Sequence, residues 1–313
     1  MSSFWPSPIL FQIGPLSIHW YGLAYAITFL LAYFIFHHSR PGRALPLDEN
    51  QKDNLLIALI AGIILGARFG YIIFYNAAYY LADPIQILAV WKGGLSFHGG
   101  VIGTAIAALL YISWHRRKHH KTTHAASRSH DSDTTASTTA THPPLRALRY
   151  QLSASPVSFF QITDIAVLIT PIGIFLGRLG NFINAELFGR ISPDTRFCLN
   201  FPSDPANCRY PSQLFESATE GLLLGIIMFA LSRHLHRSGS DKPGQLSAIF
   251  LILYGIIRFV NEYFREPDAQ LGFIANIPGI SALTMGQILS AALVLAGGIM
   301  WILIRKTARR TKN

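Results

Sequence analysis

The chain has 313 residues, 50% of them hydrophobic and only 13% charged, with a positive mean hydropathy. Soluble domains carry about 25% charged residues, so half that share excludes an ordinary soluble enzyme and points to a membrane protein. The net charge of +10 could suit nucleic acid, but the basic residues lie where membrane topology would put them, and no nucleic-acid partner is expected.

Seven apolar stretches follow in chain order, at about 16–36, 55–75, 95–114, 162–179, 214–231, 246–263 and 285–304. Each approaches the roughly 20 residues that carry a helix across the hydrocarbon core. Lipid offers no hydrogen-bond partner to open backbone, so such segments cross as helices. No Lys or Arg precedes the first stretch, so the positive n-region of a cleavable signal peptide is missing. The expected fold is an all-α membrane protein, a single domain over 1–313 with seven transmembrane helices.

Glycines recur at helical spacing, as Gly62, Gly66 and Gly70, Gly99 and Gly103, Gly173 and Gly177, and Gly221 and Gly225. Small residues at this spacing let helices approach closely in lipid. Segment 115–160 reads as an insert: its run HRRKHHKTTHAASRSHDSDTTASTTATHPP is rich in Ser, Thr and His and has no apolar period. Such composition is expected to stay disordered. Its histidines are irregularly spaced, so a solvated cytoplasmic linker is preferred to a metal site. Cys198 and Cys208 both fall in the loop region 180–212. If that loop faces the oxidising bacterial exterior, either a local disulfide or two free thiols fits the sequence.

Orientation follows from the basic residues. The segments 37–53, 115–150, 233–244 and 305–313 hold 18 Lys and Arg, and the alternate segments 1–15, 76–94, 180–212 and 264–284 hold 5. The positive-inside rule then puts the N-terminus and the 180–212 loop outside, and the insert and C-terminus in the cytoplasm.

Three arginines remain in or at the ends of spans: Arg68, Arg178 and Arg258. With this topology they share the outer half of the bilayer with His19, Trp20, Tyr21, His98, Asn181, Asn184, Glu186, Gln213, Glu216, Glu220, Tyr254 and Glu262. Ionisable groups at membrane depth usually mark function, and scattered structural pairs would not gather in one leaflet. One polar chamber open toward the outer leaflet would. Tyr254, Arg258 and Glu262 stand four apart on one helix face. If the fourth helix continues past Gly180, Arg178, Asn181, Ala185 and Gly189 form another stripe.

Arginine is always charged and its planar fork suits phosphate oxygens, so these arginines suggest a phospholipid headgroup as ligand. The amides of Asn181 and Asn184 suit glycerol hydroxyls or ester carbonyls, and His98 or a carboxylate could serve as general base. The chain has no G-x-S-x-G elbow, H-E-x-x-H or P-loop, and no metal or cofactor is expected. An enzyme and a carrier of an anionic phospholipid both fit. A flippase would need access from both leaflets, yet the inner halves of the spans hold almost no ionisable groups.

GRLGNFINAELFGR at 177–190 closely resembles the G-R-x-G-N-F-x-N-x-E-x-x-G motif of prolipoprotein diacylglyceryl transferases. The agreement covers Gly177, Arg178, Gly180, Asn181, Phe182, Asn184, Glu186 and Gly189. HWYGLAYA at 19–26, GARFGYIIFYN at 66–76, GGLSFHGG at 93–100, YGIIRFVNEYFREPDAQ at 254–270 and MGQILS at 285–290 resemble the same family. The resemblance implies an enzyme of the bacterial inner membrane. It would move the diacylglyceryl group of phosphatidylglycerol to the lipobox cysteine of a prolipoprotein, leaving a thioether and glycerol phosphate. It further implies that Arg178 binds the phosphate with help from Arg258, and that His98 and Tyr21 act in the site. Asn181, Glu186, Gly189, Tyr254 and Glu262 would shape it. One departure stands out. Where the family commonly has H-P-S-Q-L-Y-E, this chain has YPSQLFE at 210–216, so no role of that histidine transfers to Tyr210.

Overall fold

The computed structural model describes residues 5–14, 16–75, 77–89, 94–131, 157–266, 273–275 and 283–310. Six helices among them are long and apolar enough to cross a bilayer, and Gln245–Asn261 is a shorter apolar helix. Seventeen residues rise about 26 Å at 1.5 Å each, close to the ~30 Å of a hydrocarbon core. The seven helices of the sequence reading are therefore present, the sixth near the minimum length. The chain divides into two compact units, Met1–Arg43 with Thr163–Asn313, and Ala44–Ile162.

The first unit opens on an antiparallel ribbon, β1 (Ile9–Ile13) with β2 (Leu16–His19), which runs into α1 (Trp20–His38). A short α2 (Arg40–Arg43) follows. The first span therefore begins at Trp20 rather than at 16, because residues 16–19 are paired as a strand. In the second unit α3 (Glu49–Tyr75) leads through α4 (Ala77–Ala82) to α5 (Phe97–Asp131). Back in the first unit, α6 (Phe159–Ile183) precedes the ribbon β3 (Leu199–Phe201) and β4 (Asp204–Arg209). One continuous helix, α7 (Ser212–Arg237), contains a π-helical stretch, Ser217–Leu223. It is followed by α8 (Gln245–Asn261), the ribbon β5 (Phe273–Ala275) with β6 (Leu283–Thr284), and α9 (Met285–Arg310).

The helix α5 runs on to Asp131, so the start of the segment expected to be disordered carries helical backbone. Residues 132–156 lie outside the described residues.

The second unit is held by its glycines. A Cβ on Gly66 would stand 2.4 Å from the Gly99 carbonyl oxygen, and one on Gly103 2.2 Å from that of Gly62. Only a bare backbone fits the α3–α5 seam, as the spacing suggested. The same reading fails on α6. A Cβ on Gly177 would meet nothing within 4 Å, and one on Gly173 would make only ordinary contact with Thr28. Gly221 of α7 does sit tightly, on Phe175.

In the first unit Leu168, Leu224, Met228, Leu246 and Phe250 form a buried apolar cluster. Asp164 caps α8 from α6, its oxygens accepting from the Gly244 N–H at 2.7 Å, the Ser247 N–H at 2.8 Å and the Ser247 hydroxyl at 2.7 Å. Toward the other end of these helices the fully buried side chains become polar, with Gln213, Glu216, Glu220 and Gln287 among them. Outside, Leu30, Ile226, Leu295 and Ile302 are exposed. Polar groups inside and apolar groups outside are what a lipid solvent requires.

Candidate active site

Four helices deliver the polar layer of the first unit. Arg178 comes from the last turns of α6, Glu216 and Glu220 from the start of α7, Arg258 from the end of α8, and α9 begins beside Glu262. Arg178 Nε stands 2.6 Å from Glu216 Oε2. The other oxygen of that carboxylate is 3.5 Å from Arg258 Nη1, which lies equally far from Glu220 Oε1. Arg258 Nη2 closes on Glu262 Oε2 at 2.6 Å. Glu216 and Glu262 are 1% and 5% exposed, so these contacts are shielded from water and salt. The Thr284 hydroxyl donates to Glu262 Oε1 at 3.2 Å, and a Cβ on Gly286 would come 2.5 Å from the same carboxyl. The MGQ start of α9 thus closes over Glu262.

Tyr254 lies one helical turn from Arg258 with its ring stacked on Phe250 at 5.5 Å. The face-sharing of Tyr254, Arg258 and Glu262 agrees with the sequence reading.

A second cluster joins α1 to the end of α6. The Tyr21 hydroxyl donates to Glu186, and Asn181 Nδ2 donates to the Tyr21 oxygen and to Glu186 Oε1. Arg178 Nη1 reaches Asn181 Oδ1 at 3.4 Å, linking this cluster to the buried layer. Gly180 is required beneath it: an added Cβ would meet the Tyr21 ring at 2.9 Å. Phe182 anchors the same turn outward, its ring 5.1 Å from Trp5, whose indole N–H donates to the Ile183 carbonyl at 3.0 Å.

The helix does not continue as a stripe through Gly189. It ends at Ile183, and Ala185 and Leu187 adopt left-handed backbone at φ 53° and 56°. This turn brings Glu186 back over Asn181, whose carbonyl accepts the Glu186 N–H at 3.1 Å. Gln213 Nε2 ties the turn to α7 through the Glu186 carbonyl at 2.7 Å. Asn184 takes part through its backbone, donating to the Gly180 carbonyl at 3.0 Å.

Two residues expected at the site, Gly189 and Arg68, have structural partners. Gly189 pairs with Arg265 and donates to the Tyr210 carbonyl at 2.8 Å, where a Cβ would strike Phe264 O at 2.3 Å. It is the crossing point of three backbone segments. Arg68, in the second unit and 4% exposed, donates to the carbonyls of Gln86 at 2.5 Å, Ile87 at 2.9 Å, Gly94 at 3.1 Å and Ala89 at 3.3 Å. A guanidinium holding four loop carbonyls organises that loop. His98 belongs to the same unit, exposed at the second residue of α5.

The β3–β4 ribbon is braced by a Cys198–Cys208 disulfide with Cα atoms 5.3 Å apart. Arg209 pairs with Asp204, holding that carboxyl below the usual carboxylate range, and also reaches Glu266 at 3.2 Å. Tyr210 and Phe215 pack with Phe264 at ring distances of 5.4 and 5.5 Å. No group of three or more His, Cys, Asp or Glu among the described residues is placed to hold a metal.

Glu216 is the bridge that sequence reasoning grouped with the chamber but gave no role. Its signal was the spacing of two acids, Glu216 and Glu220, at i and i+4 in an apolar run. Asn261, which donates to Glu220 at 2.9 Å, carried no signal.

The family described as prolipoprotein diacylglyceryl transferase matches residues 8–127 and 146–303. The chain belongs to this family. A phosphatidylglycerol–prolipoprotein diacylglyceryl transferase of Rhodospirillum rubrum is 38% identical over 300 residues, 96% of this chain and 92% of its own. Proteins of the same name from Azospirillum brasilense and Geobacter sulfurreducens are 38% and 35% identical, each over 96% of this chain and 95% of its own. The unmatched stretch between the two family segments, 128–145, falls inside the Ser/Thr/His-rich insert. The GRLGNFINAELFGR turn, both arginines and Glu262 fall within the second matched segment.

Proposed function

We propose that the chain transfers the diacylglyceryl group of phosphatidylglycerol to the lipobox cysteine of prolipoproteins. The sulfur attacks the glycerol carbon that bears the phosphate ester, the C–O bond breaks, and glycerol phosphate leaves with both electrons. The thiol proton passes to a base, for which His98 is the choice on chemical grounds. No resident metal or cofactor has a part in this step.

The observation that carries the reading is the Arg178–Glu216–Arg258 bridge within a chain of this family. Two guanidinium groups fixed by one buried carboxylate can receive a phosphate and stabilise the charge that builds on it as the ester departs. Tyr21, Asn181 and Glu186 line the same end of the bundle with groups suited to the glycerol backbone. The chain works as a multi-pass protein of the bacterial inner membrane, with its N-terminus and the 180–212 loop outside and its C-terminus in the cytoplasm. Translocated prolipoproteins then meet the site on the outer leaflet.

The test is to incubate the protein in membranes with phosphatidylglycerol and a lipobox peptide, and weigh the peptide. A gain of one diacylglyceryl unit on cysteine supports the transferase. Lipid movement between leaflets without product would instead make it a carrier.

A further inference from the structure

Counting charges in the buried layer leaves one carboxylate over. Arg178 closes on Glu216 and Arg258 on Glu262, each at 2.6 Å. Each pair takes one close contact of a guanidinium, and Arg258 Nη1, without a hydrogen-bond partner, faces Glu216 and Glu220 at 3.5 Å each. Glu220 remains, 0% exposed and no nearer to Arg258 than 3.5 Å. Its Oε1 accepts from Asn261 Nδ2 at 2.9 Å, while its buried Oε2 has no hydrogen-bond partner.

The groups that face it are Glu216 of its own helix, Arg178 of α6, and Tyr254, Arg258 and Asn261 of α8. Glu262 shares Arg258 with it. With every carboxyl ionised, two cations would face three anions whose residues are at most 5% exposed. An uncompensated buried charge is strongly unfavourable. An incoming phosphate monoanion would add another negative charge. One proton in the layer cancels the excess, and the carboxyl left outside the two close pairs is where it can sit.

We propose that Glu220 is held protonated and acts as a positioning residue. Its neutral carboxyl keeps the arginine–glutamate layer uncharged, so that Arg178 and Arg258 can accept an anionic headgroup. This rests on the transferase reading for its substrate, but the protonation itself does not.

Two measurements test it. The first is the infrared spectrum of the purified wild-type protein in lipid at neutral pH. It should contain a protonated-carboxyl band that shifts in Glu220→Asp and is missing in Glu220→Gln. The second is transfer kinetics with phosphatidylglycerol as the varied substrate. Glutamine copies the neutral acid, so Glu220→Gln should keep both kcat and KM within about threefold of wild type. Absence of the band from the wild type overturns the proposal whether or not any variant folds. So does a Glu220→Gln protein that inserts normally but loses about 100-fold or more in transfer rate. A wild-type protein with the band but no transfer would sink the functional reading and leave the protonated Glu220 standing.

Discussion

Arg178 and Glu216 meet at 2.6 Å, the first supplied by the end of α6 and the second by the start of α7. The contact makes the guanidinium plane a fixed feature of the bundle, because the carboxylate that holds it is 1% exposed and also faces Arg258. A preorganised cation stabilises developing charge without first having to reorganise. Arg178→Gln is therefore expected to lower the rate of diacylglyceryl transfer by about 10²–10³. Arg178→Lys should be impaired almost as badly, because an ammonium cannot reach both Glu216 and a phosphate as the fork does. Arg258→Lys should suffer less, since Glu262 can hold an ammonium in place. Rates for each variant at matched membrane abundance decide this, and near-normal transfer by Arg178→Gln would reduce that arginine to a helix-end anchor.

Gly180→Ala tests the Tyr21 cluster without touching a polar group. The added Cβ would press the Tyr21 ring from 2.9 Å, displacing its hydroxyl from Glu186 and Asn181. Transfer should fall by about tenfold or more, as small displacements in a positioned site do. Folded abundance should stay close to wild type. Full activity would show that the ring's position is not critical.

The glycine spacing of α3 and α5, the apolar runs and the GRLGNFINAELFGR motif were all legible in the sequence because each is a property of a few neighbouring residues. What was hidden depends on residues far apart. Nothing local announces that Arg68 will meet four loop carbonyls, or that Gly189 will lie where Phe264 and Tyr210 cross. The end of α6 at Ile183 was also hidden. Ala185 and Leu187 are not residues that favour left-handed backbone, and bonds from Gln213 and Asn181 help keep the turn there. The ribbon ahead of α1 escaped notice because its second strand continues directly into the apolar run of the helix.

Membrane orientation is open to a direct measurement. Reporter fusions are expected to place residues 115–150 and the C-terminus in the cytoplasm and residues 180–212 outside. An outside signal from the 115–150 segment would invert the placement of the site.

The Cys198–Cys208 bridge braces the β3–β4 ribbon and does not touch the arginine layer. Changing both to Ser should leave transfer within about threefold, with at most a modest fall in thermal stability. A folded but inactive double variant would bring a covalent cysteine intermediate back into consideration.

Replacing residues 128–145, which the family does not match, with a short Gly/Ser linker should also leave transfer within a few-fold, because loop length weakly affects stability. Loss of activity in correctly inserted protein would show that this stretch has a partner.

The π-helical stretch of α7 carries a consequence for which side chains can share a face. Glu216, Glu220, Leu224, Met228 and Ser232 are all buried, each four residues from the last. In a plain α-helix, at about 100° per residue, such a row would drift by about 40° at every step and wind out of the core. The wider turn, in which the Leu224 N–H reaches back to the Thr219 carbonyl, takes up part of that drift. Acids at one end of the helix and apolar core at the other are thereby kept in phase. Deleting one residue between Ser217 and Leu223 would tighten the turn and swing Glu216 by about 100° around the axis. Both arginines would lose their common partner without any change to an arginine or a glutamate.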